Sequence, residues 1–322
     1  MSEPVFLEWQ HMTGRQIDAI PRERAVVTVT CSPLEVHGPH LPTITDVAEA
    51  RAINVRAMEL LKERHPEILF LRLPPIYVAA DVLPHVGSVM FRSSTITRTL
   101  EDLGRSLCRQ GFRNLWVGSF HGGPRHFVPI EVAAHRVNQR HGGRMVSIFS
   151  LLLNRLTGGS TDLDQVLGHV DGVSPADLIG DAHAGVVETS IMLHLMGQHV
   201  DPVWAALVQR TVDLKLAEAG KAPLATEGRP TVRELFRGFK EKLKYYEDET
   251  YSGRPEVADP RLGKEFLDIL GGHCADALGE LWRGELDLAD CHSPVWPYRW
   301  AFTERWLGWL FERAVRYRTR VW

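Results

Sequence analysis

The chain has 322 residues, a formal net charge of -3, and 44% hydrophobic and 24% charged residues. These are ordinary proportions for a globular chain, and the near-neutral balance leaves no electrostatic footprint for nucleic acid. No run approaches the ~20 apolar residues of a membrane span, and Met1-Ser2-Glu3-Pro4 lacks the basic start and apolar core of a signal peptide.

Ala25 to Cys31 is apolar and β-branched, which predicts a strand. Its end runs into Glu35-Val36-His37-Gly38-Pro39-His40-Leu41-Pro42-Thr43-Ile44-Thr45-Asp46. This loop packs two carboxylates and two imidazoles between stiffening Gly and Pro residues. Glu35 and His37 would share one face of an extended backbone. Imidazole with carboxylate suits zinc, manganese or iron. Acidic loops with histidines are also commonly just solvated, so the segment does not decide the matter by itself. Val47 to Arg64 has Ala and Leu at helical spacing, and Ile68 to Leu73 alternates as a second strand. Ser94 is placed to cap a helix running to about Gln110, with Gly111 as its stop.

Asn114 to Ser119 reads as the next strand and leads into Ser119-Phe120-His121-Gly122-Gly123-Pro124. A His at the carboxyl end of a strand, with glycines opening a helix, sits where open α/β sheets place ligands. A turn with a solvent-facing His is the plain alternative. A helix from about Arg125 to Arg140 and a strand from Met145 to Phe149 follow. The alternation predicts a three-layer α/β/α fold around a mainly parallel sheet. The candidate donors then follow the first and third predicted strands.

Residues 154–181 are rich in Gly, Asp and Ser, as expected of a lid or a surface excursion. His169 and Asp171 within them have no sharper role. Asp181-Ala182-His183-Ala184-Gly185-Val186-Val187-Glu188-Thr189-Ser190 then opens a helix through Ile191-Met192-Leu193-His194-Leu195. Glu188 lies among small and apolar neighbours, where a carboxylate is costly unless a metal or cation pairs it. His194 and His199 read as surface or packing residues. Residues 222–260 are polar and broken by Pro223, Pro230 and Pro255; they could reach over a neighbouring subunit. Six of the nine tryptophans fall at or after Trp282, and Phe302, Trp306, Trp309, Leu310 and Phe311 fit one helical face before Arg313, Arg316, Arg318 and Arg320. A membrane-surface helix is one reading of this tail. Packing on the domain or on another subunit is preferred, because monomers rarely expose so large an apolar patch. Cys31, Cys108, Cys274 and Cys291 lack metal-ligand spacing and read as reduced thiols of a cytoplasmic protein.

Three segments together resemble the creatininase family. Its members carry Glu-x-His-Gly-x-His-Leu-Pro-x-x-Thr-Asp, then His-Gly-Gly after a strand, then His-Ala-Gly-x-x-Glu-Thr-Ser. All three occur here in that order. A looser match is Gly253-Arg254-Pro255-Glu256-Val257-Ala258, followed by Gly263. The resemblance covers roughly residues 20–280. It implies a hydrolase domain over 1–280 and leaves 281–322 as a Trp- and Arg-rich helical extension. It also implies a creatininase-like fold and two divalent ions, zinc or manganese with iron as a third option. Asp46 would bridge the ions, Glu35 and His121 would serve one, and His37 and Glu188 the other. His183 would act as acid or base beside the substrate, so His183 and Glu188 form the catalytic pair. His40 would buttress the loop. His85, Gly122 and Gly123 are the expected substrate-facing residues. The family chemistry is hydrolysis of a C–N bond in a small cyclic amide or formamide by a metal-bridging hydroxide. Peptide trimming, C–C opening of a cyclic ketone and an inactive metal-binding scaffold are the alternatives. The partners expected are a small-molecule substrate and further copies of the chain, a hexamer by family analogy.

The departures from the family pattern are also informative. Val36 stands where Gln often separates Glu from His. Ser119 and Pro124 replace the Asn residues flanking the His-Gly-Gly turn, and Leu83-Pro84-His85-Val86-Gly87-Ser88 replaces the usual approach to Phe-Pro-Gly-Thr. Donor residues are retained while their polar surroundings change, which implies kept chemistry on a different substrate.

Overall fold

Alternation along each central strand sorts the apolar side chains into two cores. Val26, Phe70, Trp116 and Val146 enter one. Their neighbours Val27, Leu71, Leu115 and Met145 enter the other. This is the period-two signature of a sheet buried on both faces. In the computed structural model, which describes residues 5–157, 166–224, 232–314 and 318–321, the strands are β1 (Phe6–Glu8), β2 (Ala25–Thr30), β3 (Leu69–Arg72), β4 (Asn114–Gly118) and β5 (Arg144–Ser147). They form one sheet in the order β1-β3-β2-β4-β5, with every neighbouring pair parallel. The three-layer α/β expectation holds.

The helices are α1 (Gly14–Asp18), α2 (Thr45–Arg64), α3 (Ser93–Arg109), α4 (Pro124–His141), α5 (Ile148–Thr157), α6 (Val186–Met196), α7 (Val212–Glu218), α8 (Val232–Tyr246), α9 (Pro260–Arg283), α10 (Arg299–Thr303) and α11 (Arg305–Ala314). Helices α2, α5, α6 and α9 cover one face of the sheet. Helices α3 and α4 cover the other. After β2 the chain moves to β3 on one side; after β3 it crosses to β4 on the other. The loops leaving β2 and β4 therefore diverge and open a crevice at the carboxyl edge, where such sheets bind ligands.

Several local expectations need correction. Ser94 does not cap a helix: α3 begins at Ser93, its N-cap is Arg92, and no side chain caps it. Ser93 Oγ instead donates to Arg125 O (2.8 Å), tying α3 to the start of α4. Phe149 is not in a strand, because β5 ends at Ser147 and Ser147 Oγ accepts from Ser150 N (3.3 Å), starting α5 at once. Edge strand β1 is three residues long, too short to show periodicity. It makes β2 and β4 the second and fourth strands. Helix α8 emerges inside the segment read as polar and broken. Gly158, Gly159 and Ser160 of the 154–181 segment lie outside the described residues, as do Arg316 and Trp322.

Two glycines of α9 give a contrast that can be measured. A Cβ on Gly263 would lie 2.0 Å from Ser190 O and 2.8 Å from Ile191 N, so the backbones of α9 and α6 touch there. Gly272, on the same helix, has nothing within 4 Å. Gly263→Ala should cost about 3 kcal/mol or more, because backbone cannot yield as a side-chain tip does. Gly272→Ala should be neutral or add up to ~1 kcal/mol through helix propensity. Urea midpoints of the two variants would separate them, and equal midpoints would refute the close crossing.

Candidate dinuclear metal centre

The five proposed donors are brought into the crevice from four places in the fold. Glu35 and His37 leave β2 in a loop whose turn requires Gly38. That residue has φ +62°, and a Cβ there would meet His40 Nδ1 at 2.6 Å. Asp46 sits in the first turn of α2, where the helix dipole favours a carboxylate. His121 follows β4. Glu188 lies in the first turn of α6 and accepts from Ala184 N (2.5 Å). Ala184 itself has φ +48°, a left-handed conformation uncommon for alanine, between His183 and the helix. Asp181 holds the start of α6 by accepting from Val186 N (2.8 Å) and Val187 N (3.1 Å).

The two imidazoles are oriented by carbonyl groups, which can only accept. His37 Nδ1–H donates to Glu35 O (3.1 Å), and His121 Nε2–H donates to Ala80 O (3.2 Å). This leaves the lone pairs of His37 Nε2 and His121 Nδ1 facing the carboxylates, as second-sphere hydrogen bonds do for metal-ligating histidines. His37 Nε2 lies 3.5 Å from Asp46 Oδ2 and 3.6 Å from Glu188 Oε2. His121 Nδ1 lies 3.0 Å from Glu35 Oε2 and 3.8 Å from Asp46 Oδ1. The two oxygens of Asp46 thus address opposite imidazoles. The donors fall into two groups that share Asp46: Glu35 with His121, and His37 with Glu188.

This arrangement fits a pair of ions. Two donors about 2.1 Å from a tetrahedral zinc lie roughly 3.4 Å apart, close to the spacings above. Glu35 Oε2, His37 Nε2 and Asp46 Oδ2 are buried and have no hydrogen-bond partner. Buried polar atoms are seldom left this way without a purpose. No carboxylate could serve from the turn after His121, since Gly122 and Gly123 stand there and a Cβ at 123 would lie 2.7 Å from both Asp81 Cβ and His121 Nε2.

The electrostatics follow from burial opposed by close pairing. Burial works against charge on His37, yet Asp46 and Glu188 push its pKa up to about 10. Burial likewise opposes charge on His121, and Glu35 raises it to about 9. Burial would raise Glu35, but His121 outweighs it and holds the carboxyl below the usual range. Burial raises Asp46, against the pull of His37, and raises Glu188 to about 7. Binding an ion must therefore displace protons from both imidazoles. Both pKa values lie above the unfolded 6.5, so the competing protons are held at neutral pH and are lost as pH rises through 9 to 10. Zinc loading should accordingly weaken as pH falls from 9 to 6, with up to two protons released per chain. Calorimetry in buffers of different ionisation enthalpy would measure this, and a pH-independent affinity would contradict it.

The remaining predicted residues are placed as follows. His183 stacks on His37 with ring centroids 4.0 Å apart, and its Nε2–H donates to Val36 O (2.8 Å). Burial and the neighbouring His37 bring its pKa down to about 3, so the ring is neutral at pH 7. One of its ring nitrogens also lies within 4.8 Å of donor atoms on Glu35 and His37. His40 bonds Thr189 Oγ1 (2.8 Å) and so ties the loop to α6. His85 donates from Nε2 to Tyr246 O (2.8 Å), which pins the end of α8. A Cβ on Gly122 would meet Phe149 Cζ at 4.0 Å, an ordinary contact, whereas Gly123 is crowded. His169, Asp171, His194 and His199 are exposed and outside the cluster.

Sequence reading missed two groups here. Glu49 is fully buried one helical turn beyond Asp46, and neither of its oxygens has a partner. Burial, then the charges of Glu188, Asp46 and Asp181, hold its pKa well above the carboxylate range, so it stays protonated. Its position three residues after Asp46, on the same helix face, was the available signal. Tyr246 ends α8 edge-on to His183, with centroids 5.9 Å apart. Burial raises its pKa, which keeps the phenol protonated. Nothing in its local sequence marks it.

Fold and site define a three-layer α/β protein with a candidate two-metal cluster at the carboxyl edge of its sheet. The creatininase model, described as creatinine amidohydrolase, matches residues 10–278. The chain belongs to the creatininase family. A Bacteroides fragilis NCTC 9343 protein assigned as a creatinine amidohydrolase is similar in structure, with TM-score 0.57 and 20% identity over 86% of this chain and 96% of its own. A manganese form of creatininase matches at TM-score 0.57 and 20% identity, over 87% and 99% of the two chains. A zinc–zinc form of a mutant creatininase matches at TM-score 0.55 and 19% identity with the same coverage. No curated protein matches the chain significantly. Among the described residues, no helix is long and apolar enough to cross a membrane.

Proposed function

We propose that the chain is a metal-dependent amidohydrolase that cleaves a C–N bond in a small cyclic amide or a formamide. Family membership supports the class of reaction. The single observation that carries the site is Asp46, whose two oxygens address His37 on one side and His121 on the other. Glu35, His37, Asp46, His121 and Glu188 would hold two divalent ions. The manganese and zinc forms among the structural neighbours support either metal. Bound there, the ions would acidify a water to a pKa near 7 and polarise a substrate carbonyl.

The protein's own groups supply the rest. His183 is neutral and anchored on Val36 O. Its other ring nitrogen is free to take the nucleophile's proton and return it to the leaving nitrogen. Tyr246 forms a wall beside that ring and offers a protonated phenol. Gly122, where a Cβ would meet Phe149 Cζ at 4.0 Å, is assigned to the substrate-facing side with His85 and Gly123. The altered surroundings at Val36, Ser119 and Pro124 favour a substrate other than creatinine.

Incubation of metal-replete protein with lactams, hydantoin-like rings, formamides and cyclic ketones tests the reading. A product heavier by one water and unfragmented would indicate ring opening. Turnover confined to the ketones would reject C–N cleavage, and an inert protein with one closed metal site would reject catalysis.

A further inference from the structure

One short segment supports both donors of a single ion group. Ala80 O accepts from His121 Nε2–H (3.2 Å), and three residues further on Leu83 N–H donates to Glu35 Oε1 (2.6 Å). The donors of the other group are held elsewhere, His37 by Glu35 O and Glu188 by Ala184 N. Bonds of this kind fix a ligand's orientation and ring tautomer, and losing one typically costs about 10- to 100-fold in metal affinity.

Asp81 sits inside this segment in an unusual backbone conformation. Its φ is +68°, in the left-handed region that is costly for a residue with a Cβ, although Asp tolerates it better than most. Such conformations persist where the surroundings over-determine them, and they gather at active sites. Here the surroundings can be named. Ala79, Ala80, Val82 and Leu83 are buried on either side. Arg125, in the first turn of α4, donates from N to Asp81 Oδ2 (3.2 Å) and from Nε to Asp81 Oδ1 (3.0 Å). The first bond satisfies an N–H that the opening of a helix leaves without a helical partner. The second gives a largely buried carboxylate the cation it needs. The turn after His121 also packs on this residue, since a Cβ on Gly123 would lie 3.2 Å from Asp81 O. Asp81 thus ties the 80–83 segment to the helix that His121 precedes.

We propose that Asp81 is a positioning residue for the ion held by Glu35 and His121, and has no such role for the ion held by His37 and Glu188. The inference rests on the two-ion reading above. It adds that the two ions are secured separately, so that one can be weakened without the other.

Zinc titration of the metal-free full chain against a competing chelating dye tests this without any substrate. The wild type should bind two ions. Asp81→Gly removes the carboxylate and leaves a backbone that takes a positive φ freely, so the fold should survive, as circular dichroism would check. One dissociation constant should rise about 10- to 100-fold while the other stays within about three-fold. Asp81→Asn tolerates the same φ and keeps an acceptor oxygen, so it should recover most of the loss. Glu188→Gln should weaken the other ion, and the double variant Asp81→Gly, Glu188→Gln should weaken both. Two unchanged constants in Asp81→Gly would overturn the proposal. Equal losses at both sites would do the same, because they are the mark of a general loss of structure. So would a double variant that keeps one ion at wild-type strength. A wild type that binds fewer than two ions would remove the two-ion reading itself, and the proposal with it.

Discussion

Asp46→Ala should release both ions and lower turnover by about a thousand-fold or more. The size of the effect follows from geometry. Asp46 Oδ1 faces His121 Nδ1 at 3.8 Å and Oδ2 faces His37 Nε2 at 3.5 Å, so one side chain serves both donor groups. Without it, Glu35 with His121 and His37 with Glu188 are left as two pairs, each one donor short of the three protein ligands that a catalytic site uses. The neighbouring Glu49 cannot substitute, because it is absent from the donor groups and protonated. Asp46 is buried, so folding must be checked alongside. Circular dichroism, elemental analysis and turnover on one sample separate loss of metal from loss of fold. A folded Asp46→Ala protein that keeps two ions and its rate would end the two-metal reading.

His183→Gln should keep both ions and lose roughly a hundred-fold in turnover, the range expected when a proton-transfer group is removed. The ring is set apart from the five donors by its own bond to Val36 O and by stacking on His37. The two groups that share Asp46 are complete without it. The structure also supplies the competing outcome. Glu35, His37 and His183 form a third group of donor atoms within 4.8 Å. If His183 were a ligand, the variant would lose one ion per chain, and the fall in rate would track metal content. Metal analysis before any kinetics therefore decides between the two roles. Retention of both ions and an undiminished rate would remove His183 from the chemistry.

Much of the layer architecture could be read from residue patterns. The β-branched run at Ala25–Cys31 and the alternation of helix and strand signals suffice for a parallel sheet covered on both faces. Boundaries were less legible. Ser94 looked like a cap because serine favours that place, yet the cap is Arg92, two residues earlier, and Ser93, the first helical residue, is tied to the start of α4. Edge strand β1 gave no signal because three residues cannot display a period. Helix α8 was hidden by the polar, Pro-broken composition of residues 222–260. His85, expected at the substrate, donates from Nε2 to the Tyr246 carbonyl, a partner that no local sequence signal marks.

Residue chemistry along the chain determined the family, the donor types and the loop that carries Glu35, His37 and Asp46, because those three lie within one short segment whose Gly and Pro residues limit its shapes. Three-dimensional packing alone decided which donor faces which. His121 and Glu188 are separated from that loop by long stretches of chain; the adjacency of β2 and β4 brings His121 to it, and the packing of α6 on α2 brings Glu188. The same holds for the protonated Glu49 and for Tyr246 beside His183. Charge state and exposure depend on what surrounds a group in space, and sequence order does not contain that information.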